Sequence, residues 1–241
     1  MLADFARIAA WIDPSGAMST LANPLAGSDL FLDDSLTDPF GVSHMAATNW
    51  GAGVEHLHAV RAMVLDAGLL TPTAPFTLVR AAIESAAVVV WLLRPDDRTE
   101  RMTRALGMWF TDYEDRRKAE PVGNRKPATE WQARIRALAV AQGLSANTVG
   151  RAVSPTQVVK HAGAGPDGTP ILDAWRLASG MAHARTWARL HGTVPTGVIA
   201  LSATHARVAI EVDTPRLTAT LAAATALLRE GEKLARERST P

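Results

Sequence analysis

The chain has 241 residues, of which 47% are hydrophobic and 20% are charged, and its formal net charge is +1. This composition is that of a globular protein with enough apolar residues for a core, and the small net charge provides no global basic field that would favour nucleic acid or an acidic membrane. Because the chain has no cysteine, disulfides, thiolate nucleophiles and zinc sites with cysteine ligands are excluded.

The first 43 residues are predicted to contain one short helix followed by an irregular segment. A helical apolar pattern covers residues 2–12, and Asp13-Pro14 ends it. Residues 13–43 are rich in Pro, Gly, Ser and Asp, which is typical of irregular structure. The N-terminus carries Asp4 and lacks the basic region of a signal peptide, so we expect a cytoplasmic protein.

Residues 44–241 are predicted to form one helical domain. Apolar residues at helical spacing, bounded by glycine, proline and capping residues, indicate helices over 44–67, 76–93, 98–119, 129–142, 171–190 and 216–236. Alternating β-branched and small residues indicate a hairpin at 197–212, just before the C-terminal helix within 214–236. The expected fold is therefore all-α, an antiparallel helical bundle of six to seven helices with one minor β-hairpin.

Charge is distributed unevenly along the chain. Residues 1–60 contain one basic residue, Arg7, and seven acidic residues, whereas residues 94–136 contain eleven basic and eight acidic residues. A polyanion is therefore expected to approach the middle of the chain, if it approaches at all.

The helix over 76–93 carries two charges in an apolar context. Its longest apolar stretch, 81–93, is shorter than the ~20 residues that cross a bilayer, so we expect a core helix and no membrane partner. Arg80 and Glu84 are four residues apart and share a face of this helix. Because unpaired charges are costly there, we expect them to pair with each other or with a neighbouring helix, and His58 and Arg61 are candidates to face the same interior.

The helix over 171–190 brings a second group of polar residues together. Arg176 and His183 are seven residues apart, nearly two turns, and Ser179 lies on the same stripe. Leucines on that stripe predict that His183 is partly buried. Gly180 costs roughly 1 kcal/mol relative to alanine in the middle of a helix, which indicates close approach of another helix or of a ligand.

The spacing Arg176-x6-His183 resembles the Arg-x4–6-His signature of the HEPN superfamily of helical bundles. Arg80-x3-Glu84 at the start of an apolar helix, followed by Ser179-x3-His183, also resembles uncharacterised bacterial helical proteins grouped near that superfamily. The resemblance covers roughly residues 45–190. It implies an antiparallel bundle that forms a homodimer, and either metal-independent ribonuclease activity of a toxin or defence system or binding of RNA or a nucleotide.

The resemblance also implies roles for individual residues. His183 would act as general acid or base, and Arg176 would neutralise the phosphate when a ribose 2′-OH attacks it. The other polar residues of the expected centre would bind substrate: Arg80, Glu84, Ser179, His58 and Arg61. The HEPN signature has a polar residue directly after the arginine, where this chain has Leu177. No cofactor or metal ion is expected; a site of His58, Glu84 and His183 has too few carboxylates beside it.

An alternative function is DNA binding through a helix-turn-helix at 139–153. The pattern Ala-x3-Gly-Leu-Ser-x2-Thr-Val-x-Arg is typical of bacterial regulators. Gly143 would form the turn, Ser145 would cap the second helix, and Thr148 and Arg151 would face DNA. Gly150 and Pro155 weaken and shorten that helix. A third hypothesis is a non-catalytic helical protein that recruits a partner through its surface.

Overall fold

The computed structural model describes residues 1–11, 21, 23–121, 126–163 and 170–241. Within these ranges the chain forms eleven α-helices and one two-stranded antiparallel hairpin, which confirms the all-α fold with a minor hairpin. In chain order the elements are α1 (Leu2–Ala10), α2 (Asp29–Thr37), α3 (Val42–Arg61) with a π-helical end (Ala62–Asp66), α4 (Ala74–Leu93), α5 (Arg98–Ala119), α6 (Lys126–Ala141), α7 (Ala146–Val149), α8 (Pro155–His161), α9 (Ile171–Ala182), α10 (Thr186–Gly192), β1 (Thr193–Ala200), β2 (Ala206–Val212) and α11 (Thr214–Ser239).

Helix α4 lies at the centre of the bundle and packs against α3, α8, α9 and α11. Since apolar residues occur on most of its sides, neighbours cover nearly its whole circumference, as the sequence predicts. By length and composition α4 is the one described helix that could also cross a bilayer. Core helices meet the same test, and most of its apolar window is buried by the protein itself.

Capping residues set several helix boundaries where the sequence predicts them. Helix α5 spans the predicted residues, and its N-cap Asp97 accepts a hydrogen bond from the Thr99 N–H at 2.9 Å. The helix predicted over 44–67 is followed by Gly68, which has a φ of +62° just after the π-helical end of α3, as expected of a glycine that ends a helix. The hairpin at 197–212 is also confirmed, and β1 begins earlier, at Thr193.

The segment 13–43 is less irregular than predicted. Its described part contains α2, whose N-cap Ser28 accepts a hydrogen bond from the Phe31 N–H. The predicted end of the first helix, at residues 12–14, lies outside the described residues. Phe5, Ile8 and Leu30 are buried in the same apolar cluster as α4, so this part of the chain shares the core of the bundle.

The predicted helix over 171–190 is two helices, and this prediction is wrong. Helix α9 ends at Ala182, Ala184 adopts a left-handed φ of +52°, and α10 begins at Thr186. The prediction that Gly180 permits close approach is confirmed: a Cβ atom at this position would lie 2.5 Å from the Ala188 Cβ atom. Because Gly180 has no side chain, α10 folds back onto the end of α9.

A fully buried ion pair joins α2 to α5. Asp33 and Arg101 are both inaccessible to solvent, and the Arg101 Nε donates to Asp33 at 2.6 Å. Arg98 adds a second contact to Asp33 at 3.0 Å, and Arg238 of α11 binds Asp29 at 2.8 Å. Acidic residues near the start of the chain therefore supply counter-ions to two arginines of its basic middle and to one of its C-terminal helix, which leaves these three arginines occupied within the protein.

An aromatic cluster fills the space between α5 and α6. Phe40 contacts Trp109, Tyr113 and Trp131 with ring centroids 5.7–6.5 Å apart. Glu114 lies beside this cluster, and two hydrogen bonds lower the pKa of its carboxyl to about 2. The bond from Arg117 has the larger effect and the bond from Gln132 the smaller. Gln132 lies on α6 and Glu114 on α5, so the contact also joins the two helices.

Candidate functional site

A pocket of about 300 Å³ opens where α9 turns into α10, and we call it the α9–α10 pocket. Three of the site residues predicted from the sequence line it: Arg176, Ser179 and His183. The full lining is Trp175, Arg176, Ser179, Gly180, His183, Arg185 and Trp187.

Local backbone structure explains why these residues meet. Arg176, Ser179 and His183 recur at spacings of three and four along α9, so their side chains lie on one face. His183 is the C-cap residue, and its N–H donates to the Ser179 carbonyl at 3.1 Å. The chain then reverses at Ala184, and the Arg185 N–H donates to the Gly180 carbonyl at 2.8 Å. This turn brings Arg185 to the same opening as His183.

The polar side chains of the pocket are open to solvent. The Arg176 side chain is 58% exposed, and its guanidinium lies 3.5 Å from the carboxylate of Asp173. His183 is exposed, so the prediction that it is partly buried among leucines is wrong. The reason is the break in the helix, which places Leu190 on α10 with its side chain 75% exposed.

The chemistry of the pocket is cationic and aromatic. Arg176 and Arg185 carry two guanidinium groups, each able to donate paired hydrogen bonds to a phosphate. His183 adds an imidazole and Ser179 a hydroxyl, while Trp187, which is 49% exposed, offers an indole face at the rim. Such a set of groups suits a phosphate attached to a flat ring.

Arg80 and Glu84 do not line the pocket and are linked to it through Trp175. They form an ion pair at 2.8 Å with both side chains about a quarter exposed, at the edge of the core. The Glu84 Oε1 also accepts a hydrogen bond from the Trp175 indole N–H at 2.8 Å. Glu84 of α4 therefore fixes Trp175, whose side chain lines the pocket. Among the described residues, no hydrogen bond or ion pair joins Arg80 or Glu84 directly to Arg176.

His58 and Arg61 lie on α3 and are half-buried. Arg61 forms an ion pair with Asp66 at 3.5 Å. The Nδ1 atom of His58 and the Nε atom of Arg80 are buried and make no hydrogen bond. In the part of the chain that is described, no three His, Asp or Glu residues are close enough to hold a metal ion, so His58, Glu84 and His183 do not form a shared metal site.

The helix-turn-helix pattern corresponds to α6, a turn and α7. Gly143 has a φ of +70° in the turn, and Ser145 caps α7 by accepting from the Thr148 N–H at 3.2 Å, as that hypothesis requires. Helix α7 has only four residues, however, which gives a length of about 6 Å. Thr148 and Arg151 line a groove beside α5 and α8. Since α7 is a single helical turn beside this groove, its geometry does not favour the reading of DNA bases by α7.

Three residues of the pocket were not predicted from the sequence: Trp175, Arg185 and Trp187. The available signal was the tryptophan next to Arg176 and the glycine in the middle of α9, which together indicate that another element packs there. It also missed the buried pair of Asp33 and Arg101, for which the uneven charge distribution was the signal.

Comparison of the chain with protein-family models, with curated proteins and with solved structures finds no match in any of the three. The function is therefore inferred from the geometry of the pocket and from the chemistry of its residues.

Proposed function

We propose that the α9–α10 pocket binds single-stranded RNA and cleaves it without a metal ion, as the resemblance to HEPN proteins implies. The observation that supports this most strongly is that the pocket joins Arg176, Ser179 and His183 to Arg185 and Trp187. Five residues from α9, from the turn after it and from α10 thus supply the groups that a ribonucleotide needs.

Each group has a distinct role in binding. Arg176 and Arg185 hold one phosphate between them through charge-assisted hydrogen bonds. Trp187 stacks on the base that follows, since unpaired RNA bases are free to stack on aromatic side chains. The Ser179 hydroxyl donates to a phosphate oxygen. Arg80 and Glu84 contribute by keeping Trp175 in place, and so act as positioning residues.

The cleavage step is an intramolecular transfer of the phosphoryl group. The ribose 2′-oxygen attacks the adjacent phosphorus, a new P–O2′ bond forms, and the P–O5′ bond breaks. The 2′-OH proton leaves, and the departing 5′-oxygen takes up a proton, so the products are a 2′,3′-cyclic phosphate and a 5′-hydroxyl. His183 carries one of these protons and water the other, while Arg176 neutralises the charge that grows on the phosphoryl oxygens.

The position after Arg176 differs from the HEPN pattern. Leu177 packs against the core and is not among the residues that line the pocket. In this chain Ser179 and Arg185 supply the polar groups instead. Because the attacking group is a 2′-hydroxyl, DNA of the same sequence binds but is not cleaved.

RNA binding is tested with a fluorescein-labelled single-stranded oligonucleotide that carries 2′-O-methyl groups and cannot be cleaved. Replacing both Arg176 and Arg185 with alanine is expected to weaken binding by about 100-fold, because each substitution removes a hydrogen-bonded contact to the phosphate that is worth about 1.5 kcal/mol. Fluorescence anisotropy at fixed salt measures the dissociation constants.

The matched control replaces Arg229 and Lys233, both exposed on α11, with alanine. This variant loses the same charge but is expected to bind RNA within about threefold of the unmodified protein. Equal weakening in both double variants would mean that binding follows net charge alone, and the proposed pocket would have to be given up.

A further inference from the structure

The hairpin β1–β2 exposes an apolar face that the described protein does not cover. Cross-strand partners share a face, and one face carries the pairs Pro195–Ile210, Val198–Val208 and Ala200–Ala206. Val198 is 65% exposed and Val208 46%. An isolated two-stranded hairpin is only marginally stable in water, so this one needs further contacts.

The outer edge of β2 is open. Beyond β1, no described element packs extensively against β2. Two backbone hydrogen bonds at the ends of the hairpin, from Leu201 to His205 and from Asp213 to Gly192, show that odd-numbered residues of β2 direct their N–H and C=O groups toward β1. In an antiparallel ladder this direction alternates, so the backbone of Val208 and Ile210 points outward, free to pair.

The charges on β2 determine what fits this edge. Arg207 and Glu211 are exposed on the other face of the hairpin, two positions on either side of Ala209. If a second β2 strand lies antiparallel with Ala209 opposite Ala209, each Arg207 lies directly opposite Glu211 of the other copy. The strand is thus complementary in charge to itself, and opposite charges in such cross-strand positions attract.

We propose that a second copy of this chain pairs with β2 in this register and forms a four-stranded antiparallel sheet across a two-fold axis at Ala209. The same register pairs Val208 with Ile210 of the second copy, so their outward backbone groups exchange hydrogen bonds. It also joins the two apolar faces into one surface. The contact uses the same residues on both copies, as a two-fold symmetric interface requires. Pairing also removes an open strand edge from each protomer.

Two charge reversals test this register. In Arg207→Glu both cross-strand pairs become Glu–Glu, and in Glu211→Arg both become Arg–Arg. Each variant alone is expected to raise the dimer dissociation constant at least about tenfold. An equimolar mixture of the two restores attraction, because every Glu then faces an Arg, so heterodimers form with nearly the affinity of the unmodified protein. Sedimentation equilibrium of the full chain measures all three.

The control is Arg229→Glu, which makes the same charge change at an exposed position of α11 and is expected to leave dimerisation unchanged. Circular dichroism checks that each variant is folded. The proposal is overturned by an unmodified chain that stays monomeric at about 100 µM, a concentration at which even a weak interface associates. The proposal is also overturned if neither charge reversal weakens the dimer, or if a mixture of the two single variants does not recover the affinity of dimerisation.

Discussion

Replacing His183 with alanine is expected to lower the rate of RNA cleavage by about 10²–10⁴-fold, the usual contribution of a positioned general acid or base. The imidazole is exposed at the mouth of the α9–α10 pocket, and among the described residues it forms no hydrogen bond or ion pair, while the backbone cap of α9 does not involve the side chain. Its removal should therefore leave folding intact. Cleavage of total RNA in the presence of a chelator, followed over time on a gel, measures the rate.

Arg176→Ala is expected to give a loss of similar size, because the phosphate charge then develops without its guanidinium partner. His205→Ala is the matched control, because this histidine is also exposed and lies in the turn of the hairpin. The variant is expected to cleave RNA at the rate of the unmodified protein. Intact RNA after incubation with the unmodified protein would contradict the cleavage chemistry while leaving binding to be judged separately.

Replacing Asp33 with alanine is expected to lower the free energy of unfolding by about 3–5 kcal/mol, the second large effect. The variant leaves the fully buried guanidinium of Arg101 without its main counter-ion. Hydrogen bonds from Arg101 to the carbonyls of Pro95 and Asp96 remain. The carboxylate of Asp29 also remains, at 3.6 Å, but it is 37% exposed and makes the longer contact, so it only partly replaces Asp33. Urea denaturation measures the loss.

Arg98→Ala provides the comparison, because it removes another partner of the same carboxylate. The side chain of Arg98 is 38% exposed. This substitution is expected to cost no more than about 1 kcal/mol. Replacing both members of the buried pair, Asp33→Leu with Arg101→Met, should cost less than Asp33→Ala alone, since no unpaired charge is left inside. If Asp33→Ala were as mild as Arg98→Ala, the buried pair would not be the junction between α2 and α5.

Much of the fold follows from local signals in the sequence. Asp97 before α5 and Gly68 after α3 mark helix ends through capping chemistry that involves only neighbouring residues. The hairpin follows from alternation of residues along two short segments. These features need no knowledge of distant parts of the chain, which is why they were predictable.

Other features depend on contacts between distant segments. The break after Ala182 occurs at Ala184, an alanine with a left-handed backbone, where no glycine or proline marks a turn. It follows from the packing of α10 on Gly180, which helical periodicity alone cannot detect. The hydrogen bond from Trp175 to Glu84 likewise joins residues 91 positions apart. Periodicity therefore placed Arg176, Ser179 and His183 on one face but could not add Arg185 and Trp187.

Occupation of the α9–α10 pocket by RNA can be observed through the indole N–H signals of the seven tryptophans. The signal of Trp187 is assigned in the ¹⁵N–¹H spectrum by its loss in Trp187→Phe. Adding the 2′-O-methyl oligonucleotide is predicted to shift this signal, while that of Trp50, which is buried in the core, stays in place. A Trp187 signal that does not move at saturating RNA would show that RNA does not bind in this pocket.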